Sequence, residues 1–331
     1  MQLRIYITMF LLVMVFCACA KGENLPGEID SGETPDQIKN QTSLALGDPY
    51  IFYYDNRYYA YGTQSPNGIV VYVSDDLETW RVPAEANNGL ALHKDDVYAD
   101  RWFWAPEVYF VNNKFYMYYS ADEHICVATS DSPLGPFKQE IKKPMIENEK
   151  CIDNSLFIDE DGKAYLSFVR FTDGNAIWIA ELEEDFTTLK METLKPCLNV
   201  LQNWEKAMGR VNEGSFIVKH NGIYYMSYSA NHYESPMYGV GYATAENVMG
   251  PWEKSAMNPI LQKPKGLTGV GHSAMFWDKN GDLRIVFHSH NSNTKIHPRL
   301  MHIGRVNFEN VNGEEVMQIG DDILTPVLKE E

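Results

Sequence analysis

Asp153-Asn-Ser-Leu-Phe-Ile-Asp-Glu-Asp-Gly162 followed by Ala164-Tyr-Leu-Ser-Phe168, and Glu213-Gly-Ser-Phe-Ile-Val-Lys-His-Asn-Gly222 followed by Tyr224-Tyr-Met-Ser-Tyr228, are two copies of one phrase. Each reads as an alternating strand, a tight turn and an aromatic strand. Asp-Gly and Asn-Gly between alternating strands signal a hairpin, because a type I′ turn needs positive φ at both central residues. A third copy, His272-Ser-Ala-Met-Phe-Trp-Asp-Lys-Asn-Gly281 followed by Leu283-Arg-Ile-Val-Phe287, has the same spacing from opening residue to turn glycine. Two looser copies precede them. Tyr116-Met-Tyr-Tyr-Ser-Ala121 matches Tyr225-Met-Ser-Tyr-Ser-Ala230 and sets Trp104 opposite Glu213, while Asp48-Pro-Tyr-Ile-Phe-Tyr-Tyr-Asp-Asn56 runs into Tyr58-Tyr-Ala-Tyr61.

A third strand follows each copy, at Ile69 to Ser74, Ile125 to Ser130, Ile177 to Glu181, Gly239 to Thr244 and Leu300 to Val306. A repeat of roughly 50 to 60 residues holding three or four antiparallel strands is the signature of a β-propeller. The spacing predicts an all-β, five-bladed propeller forming a single domain over residues 44–331. The first strand of every blade starts at the same end of the axis. The opening residues Asp48, Trp104, Asp153, Glu213 and His272 are therefore expected to form one ring around a mouth, which makes neighbours of three acids far apart in the chain.

The chain has 331 residues and a formal charge of −17, from 28 Lys and Arg against 45 Asp and Glu. That balance argues against nucleic acid and anionic membrane surfaces as partners. At the start, Arg4 precedes an apolar run from Ile5 to Phe16, too short for a span of about 20 residues. Residues 1–18 read as a bacterial lipoprotein-type signal, with Cys19 (or Cys17) as the lipid-bearing thiol. Residues 19–43 read as a flexible tether rich in glycine and proline. The expectation is an exported monomer, lipid-anchored at the outer membrane on its periplasmic face or at the cell surface, meeting the membrane only through that anchor. Cys126, Cys151 and Cys197 remain in the body, and an odd three is no disulfide framework; free thiols are expected there.

Three carboxylates converging in a restricted space push one another's pKa values apart, which is what an acid and a base at neutral pH require. In glycoside hydrolysis one protonated carboxyl serves the leaving oxygen while a carboxylate activates water or attacks the anomeric carbon. Other chemistries lack their residues. His288 and His290 share one strand face without a third ligand at zinc spacing, and no phosphate loop or nucleophile elbow occurs.

Gly47-Asp48-Pro49-Tyr50, Trp104-Ala105-Pro106-Glu107, Ile152-Asp153-Asn154-Ser155 and Asn212-Glu213-Gly214-Ser215 together resemble the ordered motif series of glycoside hydrolase family 43. The resemblance spans about residues 44 to 328. It implies Asp48 as general base, Glu213 as general acid, Asp153 as the residue that raises and orients the acid, and inversion of configuration, with base and acid roughly 6.5 to 9.5 Å apart. It also implies a sugar-holding role for Arg299 and a place for His272 beside a structural calcium ion on the propeller axis. Trp104 is expected to stack on a sugar face. The function so implied is exo-acting hydrolysis of α-L-arabinofuranosyl or β-D-xylosyl linkages in plant polysaccharide fragments. β-Xylosidase, galactofuranosidase and endo-arabinanase are the same-fold alternatives, and a non-catalytic surface carbohydrate-binding propeller is the reading from another class.

Overall fold

The computed structural model describes residues 41–329, so the signal read at 1–18 and the tether up to residue 40 lie outside the described residues. Among those described, helical structure is limited to short 3-10 turns, and the body is a β-propeller. The chain begins with β1 (Gln41–Ser43), so the last three residues of the expected tether are a strand.

The first repeat forms β2 (Gly47–Tyr54), β3 (Arg57–Ser65), β4 (Gly68–Ser74), the short β5 (Thr79–Trp80) and β6 (Leu90–His93). The second supplies β7 (Trp104–Val111), β8 (Lys114–Ala121) and β9 (His124–Ser130). The third supplies β10 (Cys151–Ile158), β11 (Ala164–Phe171), β12 (Asn175–Glu181) and β13 (Lys195–Leu198). The fourth gives β14 (Asn212–His220), β15 (Ile223–Ala230), β16 (Gly239–Ala245) and β17 (Glu253–Lys254). The last gives β18 (Gly271–Trp277), β19 (Leu283–Ser289), β20 (Leu300–Val311) and β21 (Glu314–Ile319), before β22 (Val327–Lys329).

These strands fall into six sheets, where the repeats predict five. Each repeat owns one sheet, and the sixth is β1-β22-β5, with β1 antiparallel to β22 and β22 parallel to β5. The five-bladed expectation is corrected accordingly. The extra sheet is assembled from pieces of two or three residues lying outside the hairpins, too short to carry any alternation a repeat search could register. The first strands β2, β7, β10, β14 and β18 touch in sequence order and β18 returns to β2, so the repeats surround one axis. Their aromatic second strands fill the space between sheets: Tyr58, Tyr61, Tyr118, Tyr119 and Tyr228 are each no more than 1% exposed. Cys126 and Cys151 are buried free thiols and Cys197 a half-buried one.

All five first strands break register at the same place. Two residues, Asp48-Pro49, Ala105-Pro106, Asp153-Asn154, Gly214-Ser215 and His272-Ser273, stand opposite one on the neighbouring strand. The first of each pair has left-handed backbone: φ is 45° at Asp48, 45° at Ala105, 58° at Asp153, 57° at Gly214 and 47° at His272. These are β-bulges of the kind that bend a strand and re-aim a side chain. They also correct the expected ring. Trp104 and Glu213 are not equivalent to Asp48, Asp153 and His272 but stand one residue earlier, at the positions of Gly47, Ile152 and Gly271. The displacement comes from the turns. Asn221-Gly222 is a two-residue loop with both residues at positive φ, whereas Gly162 and Gly281 are fourth in the longer loops 159–163 and 278–282. Counting back from the glycine therefore lands one residue off in the fourth repeat.

Candidate active site

The bulges stitch the repeats together. The backbone N–H of Ala105 donates to Thr63 Oγ1 (3.1 Å), that of Asp153 to Ser120 Oγ (2.9 Å), that of His272 to Ser229 Oγ (2.7 Å) and that of Asp48 to His288 Nδ1 (3.1 Å). Each acceptor sits on the second strand of the preceding repeat, opposite the residue before that repeat's bulge. At the step into Gly214 the corresponding position is Val169, which offers no acceptor.

Asp48 is the most tightly held of the acids. Arg299 grips it with two parallel bonds, Nη1 to Oδ1 at 2.6 Å and Nη2 to Oδ2 at 3.0 Å, and Thr63 Oγ1 donates to Oδ2 at 2.6 Å. A carboxylate has about four lone-pair positions, so these bonds leave one open on Oδ1. Burial alone would raise this carboxyl, but the Arg299 guanidinium beside it holds it well below the usual carboxylate range. His288 is fully buried, and its imidazole is held neutral by burial and by Arg299.

Glu213 has the opposite environment. Tyr238 donates its hydroxyl proton to Oε1 (2.8 Å) and Asn175 its amide to Oε2 (3.0 Å). Burial nevertheless pushes this carboxyl up to about 7. Asp153 is raised well above the ordinary range by burial and then by the charges of Glu213 and Asp48. Donor atoms of Asp153, Glu213 and His272 all lie within 4.8 Å of one another. A metal centred there would occupy two carboxyls whose proton affinity burial raises.

Two glycines make room for these contacts. A Cβ on Gly47 would lie 2.3 Å from Arg299 Nη2, and one on Gly271 would lie 2.3 Å from the Tyr238 ring. The pre-bulge position thus carries the acid in the fourth repeat, an indole in the second, and open space for a partner in the first and last.

Below the acids, on the axis, Glu107, Asp153, Asn154, His272 and Ser273 line a slot with room for about one water molecule. Glu107 accepts from Tyr109 and burial pushes it up to about 8, so it is protonated at neutral pH. Asn154 Oδ1 and Ser273 Oγ are buried there without a partner. Two orphaned neutral oxygens suit an ordered water or a hard cation such as calcium, which prefers oxygen donors. Above, a depression of about 690 Å³ opens between Thr63, Asn67, Arg101, Trp102, Trp104 and Arg299. Trp104 is half-buried and stacks on Trp102 (centroids 5.8 Å apart, planes at 14°), and the Arg101 guanidinium covers the outer face of Trp102 at 4.4 Å.

The structure thus brings Asp48, Asp153, Glu213, His272 and Arg299 together, and places Trp104 in the wall of the adjoining depression. Arg299 turns both terminal nitrogens on Asp48, which differs from the expected grip on sugar hydroxyls. Thr63, Asn175 and Tyr238 escaped the sequence reading, which weighed His288 only as a zinc ligand. Asn175 opens β12, while Tyr238 and Arg299 immediately precede β16 and β20. Loops from second to third strand return to the mouth, so polar residues at third-strand starts were the available signal.

A family model described as glycosyl hydrolases family 43 matches residues 42–310. Among solved structures, an endo-1,4-β-xylanase from Bacteroides thetaiotaomicron is 46% identical with a TM-score of 0.82, covering 87% of this chain and 98% of that one. A thermostable family-43 glycoside hydrolase is 38% identical with a TM-score of 0.75, covering 83% of this chain and 92% of that one. A β-D-galactofuranosidase of Aspergillus niger is 29% identical over 183 residues, 53% of this chain and 50% of its own length. The chain therefore spans about half the length of that curated relative.

Proposed function

The chain belongs to glycosyl hydrolases family 43, and from that premise we propose that it hydrolyses O-glycosyl bonds with inversion, acting on α-L-arabinofuranosyl or β-D-xylosyl linkages of plant polysaccharide fragments. The observation that carries the proposal is the split between two buried carboxyls. Asp48 is kept ionised by Arg299, and Glu213 is kept protonated up to about pH 7. Environments that push two carboxyls apart assign the base and the acid.

In this reading a water donates a hydrogen bond to the open lone pair on Asp48 Oδ1 and attacks the anomeric carbon from that side. Glu213 gives its proton to the departing oxygen on the other. Asp153 shares a proton with Glu213: the charge of either carboxyl raises the other's proton affinity, which helps keep the proton on the acid. Trp104 offers a flat apolar wall to the sugar. A calcium ion would be held by Asn154 Oδ1 and Ser273 Oγ beside His272, and would supply positive charge beneath Asp153. Export and lipid anchoring at Cys19 belong to the same proposal; Cys19→Ala should then release the protein from the membrane fraction.

Proton NMR of the first-formed sugar tests the stereochemistry: inversion is expected, and a retained anomer overturns the role of Asp48. Glu213→Ala should lower hydrolysis of an oligosaccharide by about 10²–10⁴-fold while sparing an aryl glycoside whose leaving group needs no proton. Rates on aryl arabinofuranoside, xyloside and galactofuranoside rank the sugars. A second reading, cleavage within a xylan chain, is favoured by the activity named for the Bacteroides thetaiotaomicron relative and by the open depression of about 690 Å³. Product sizes released from xylan separate it from exo action.

A further inference from the structure

We propose that a buried ion pair away from the substrate, Lys254 with Glu205, is a positioning device for Glu213 that acts through the side chain of Asn212. The inference rests on the reading of Glu213 as proton donor. Glu205 is fully buried and the Lys254 side chain is only 5% exposed. Neither residue, nor Asn212, lines the axial slot or the depression.

Every polar atom of the cluster is engaged, and the bonds converge on the entry to the acid's strand. Glu205 Oε2 accepts the backbone N–H groups of Leu201 (2.6 Å) and Gln202 (2.7 Å), and Oε1 accepts from the Tyr228 hydroxyl (2.6 Å) and from Lys254. Lys254 reaches inward from β17, the outermost strand of its sheet, over the Tyr228 ring at 4.5 Å. It then donates to the Asn199 carbonyl (2.7 Å) and to Asn212 Oδ1 (2.8 Å) on β14, the innermost strand. Asn212 also donates to the Val211 carbonyl (2.9 Å), so its side chain has no freedom left, and the next residue is Glu213.

A second arm reaches the acid's hydrogen-bond donor. Asn231 accepts from the Ala207 N–H (2.7 Å) and donates to the Trp204 and Met237 carbonyls (both 2.9 Å), and Met237 precedes Tyr238. The ion pair thus holds the segment that leads into Glu213 directly, while Asn231 ties the residue before Tyr238 to the Asn203–Lys206 turn that carries Glu205.

Burying a charged pair carries a large desolvation cost, and well-packed apolar residues often serve stability better. What the pair supplies that apolar residues cannot is direction: an ammonium and a carboxylate fix particular backbone atoms at hydrogen-bond distance. Misplacement by about 1 Å at a reacting group costs on the order of 10²-fold in rate. Burial pushes the Lys254 ammonium down to about 8, against the pull of Glu205.

The test compares Asn212→Ala and Lys254→Met with wild type and Glu213→Ala, each on an oligosaccharide and on an aryl glycoside with an activated leaving group. Both positioning variants should lose about 10-fold or more in kcat on the oligosaccharide, keep KM, and keep activity on the activated substrate. Asn212→Ala leaves the ion pair intact and decides the matter should Lys254→Met fail to fold. Wild-type rates in Asn212→Ala, or equal losses on both substrates, overturn the positioning role. Equal losses in Glu213→Ala itself would instead overturn the assignment of the acid.

Discussion

Arg299 occupies the space that a side chain at position 47 would fill: a Cβ there would lie 2.3 Å from Nη2, and the same guanidinium binds both oxygens of Asp48. Gly47 is thus a functional residue by virtue of having no side chain. Gly47→Ala should displace Arg299 from Asp48 and reduce kcat/KM by about 10²-fold, with the circular-dichroism spectrum unchanged. Near wild-type kcat/KM would show that Arg299 can reach Asp48 by another path.

The same pairing predicts the acid side of the pH profile. Because Asp48 is held ionised far below its ordinary range, the wild-type profile should show no loss from this group above about pH 4. Arg299→Met removes the cation and leaves burial to act alone, so the Asp48 carboxyl rises and the acid limb moves to higher pH by about 1–3 pH units. An acid limb that stays in place would separate Asp48 from the base. The arrangement carries a cost in proton affinity: a carboxylate so stabilised is a weak base, and it takes the proton of water only as positive charge develops on the sugar.

On the alkaline side activity should fall as Glu213 loses its proton, near pH about 7. Tyr238 and Asn175 both donate to the carboxylate form and hold that value down. Tyr238→Phe removes one donor, so the alkaline limb should move to higher pH while kcat at the optimum drops through lost orientation. Movement to lower pH would contradict the assigned hydrogen bond.

Ala105 occupies the bulge of the second repeat at φ 45°, a conformation that costs an L-residue more than glycine. It carries no proposed chemistry. Ala105→Gly should raise stability by about 0.5–1 kcal/mol, read as a rise of a few degrees in Tm, with catalysis intact. A fall in Tm would mean that packing of the methyl outweighs backbone relief.

Removing calcium with a chelator should lower Tm if the axial oxygens of Asn154 and Ser273 hold the ion, and Asn154→Ala should abolish that response. Identical melting with chelator and with added calcium would leave the slot to water.

The hairpins were legible because their alternation and turn residues are local. Asp48, Asp153 and Glu213 could be brought together from repeat logic before any coordinates. Their registration was not fully legible: Gly162 and Gly222 look alike in sequence yet belong to loops of different length, so Trp104 and Glu213 were set one residue out of phase. The sixth sheet escaped because its strands are too short to alternate. Arg299 was recognisable as a mouth residue, but its commitment to Asp48 depends on the emptiness of Gly47. The protonation of Glu107 follows from burial, which its motif does not announce.

The belt of bulge amides has one further implication. The bonds from Asp48 to His288, Ala105 to Thr63, Asp153 to Ser120 and His272 to Ser229 fasten successive repeats at the end of the axis where the acids converge. Asp48 is at once the clasp between the last repeat and the first and the residue proposed to activate water. Ring closure and assembly of the acids are then a single event, and turnover becomes a gauge of whether the hoop is shut. A molecule whose first and last repeats part company loses its base at that moment, while every individual sheet can still be intact.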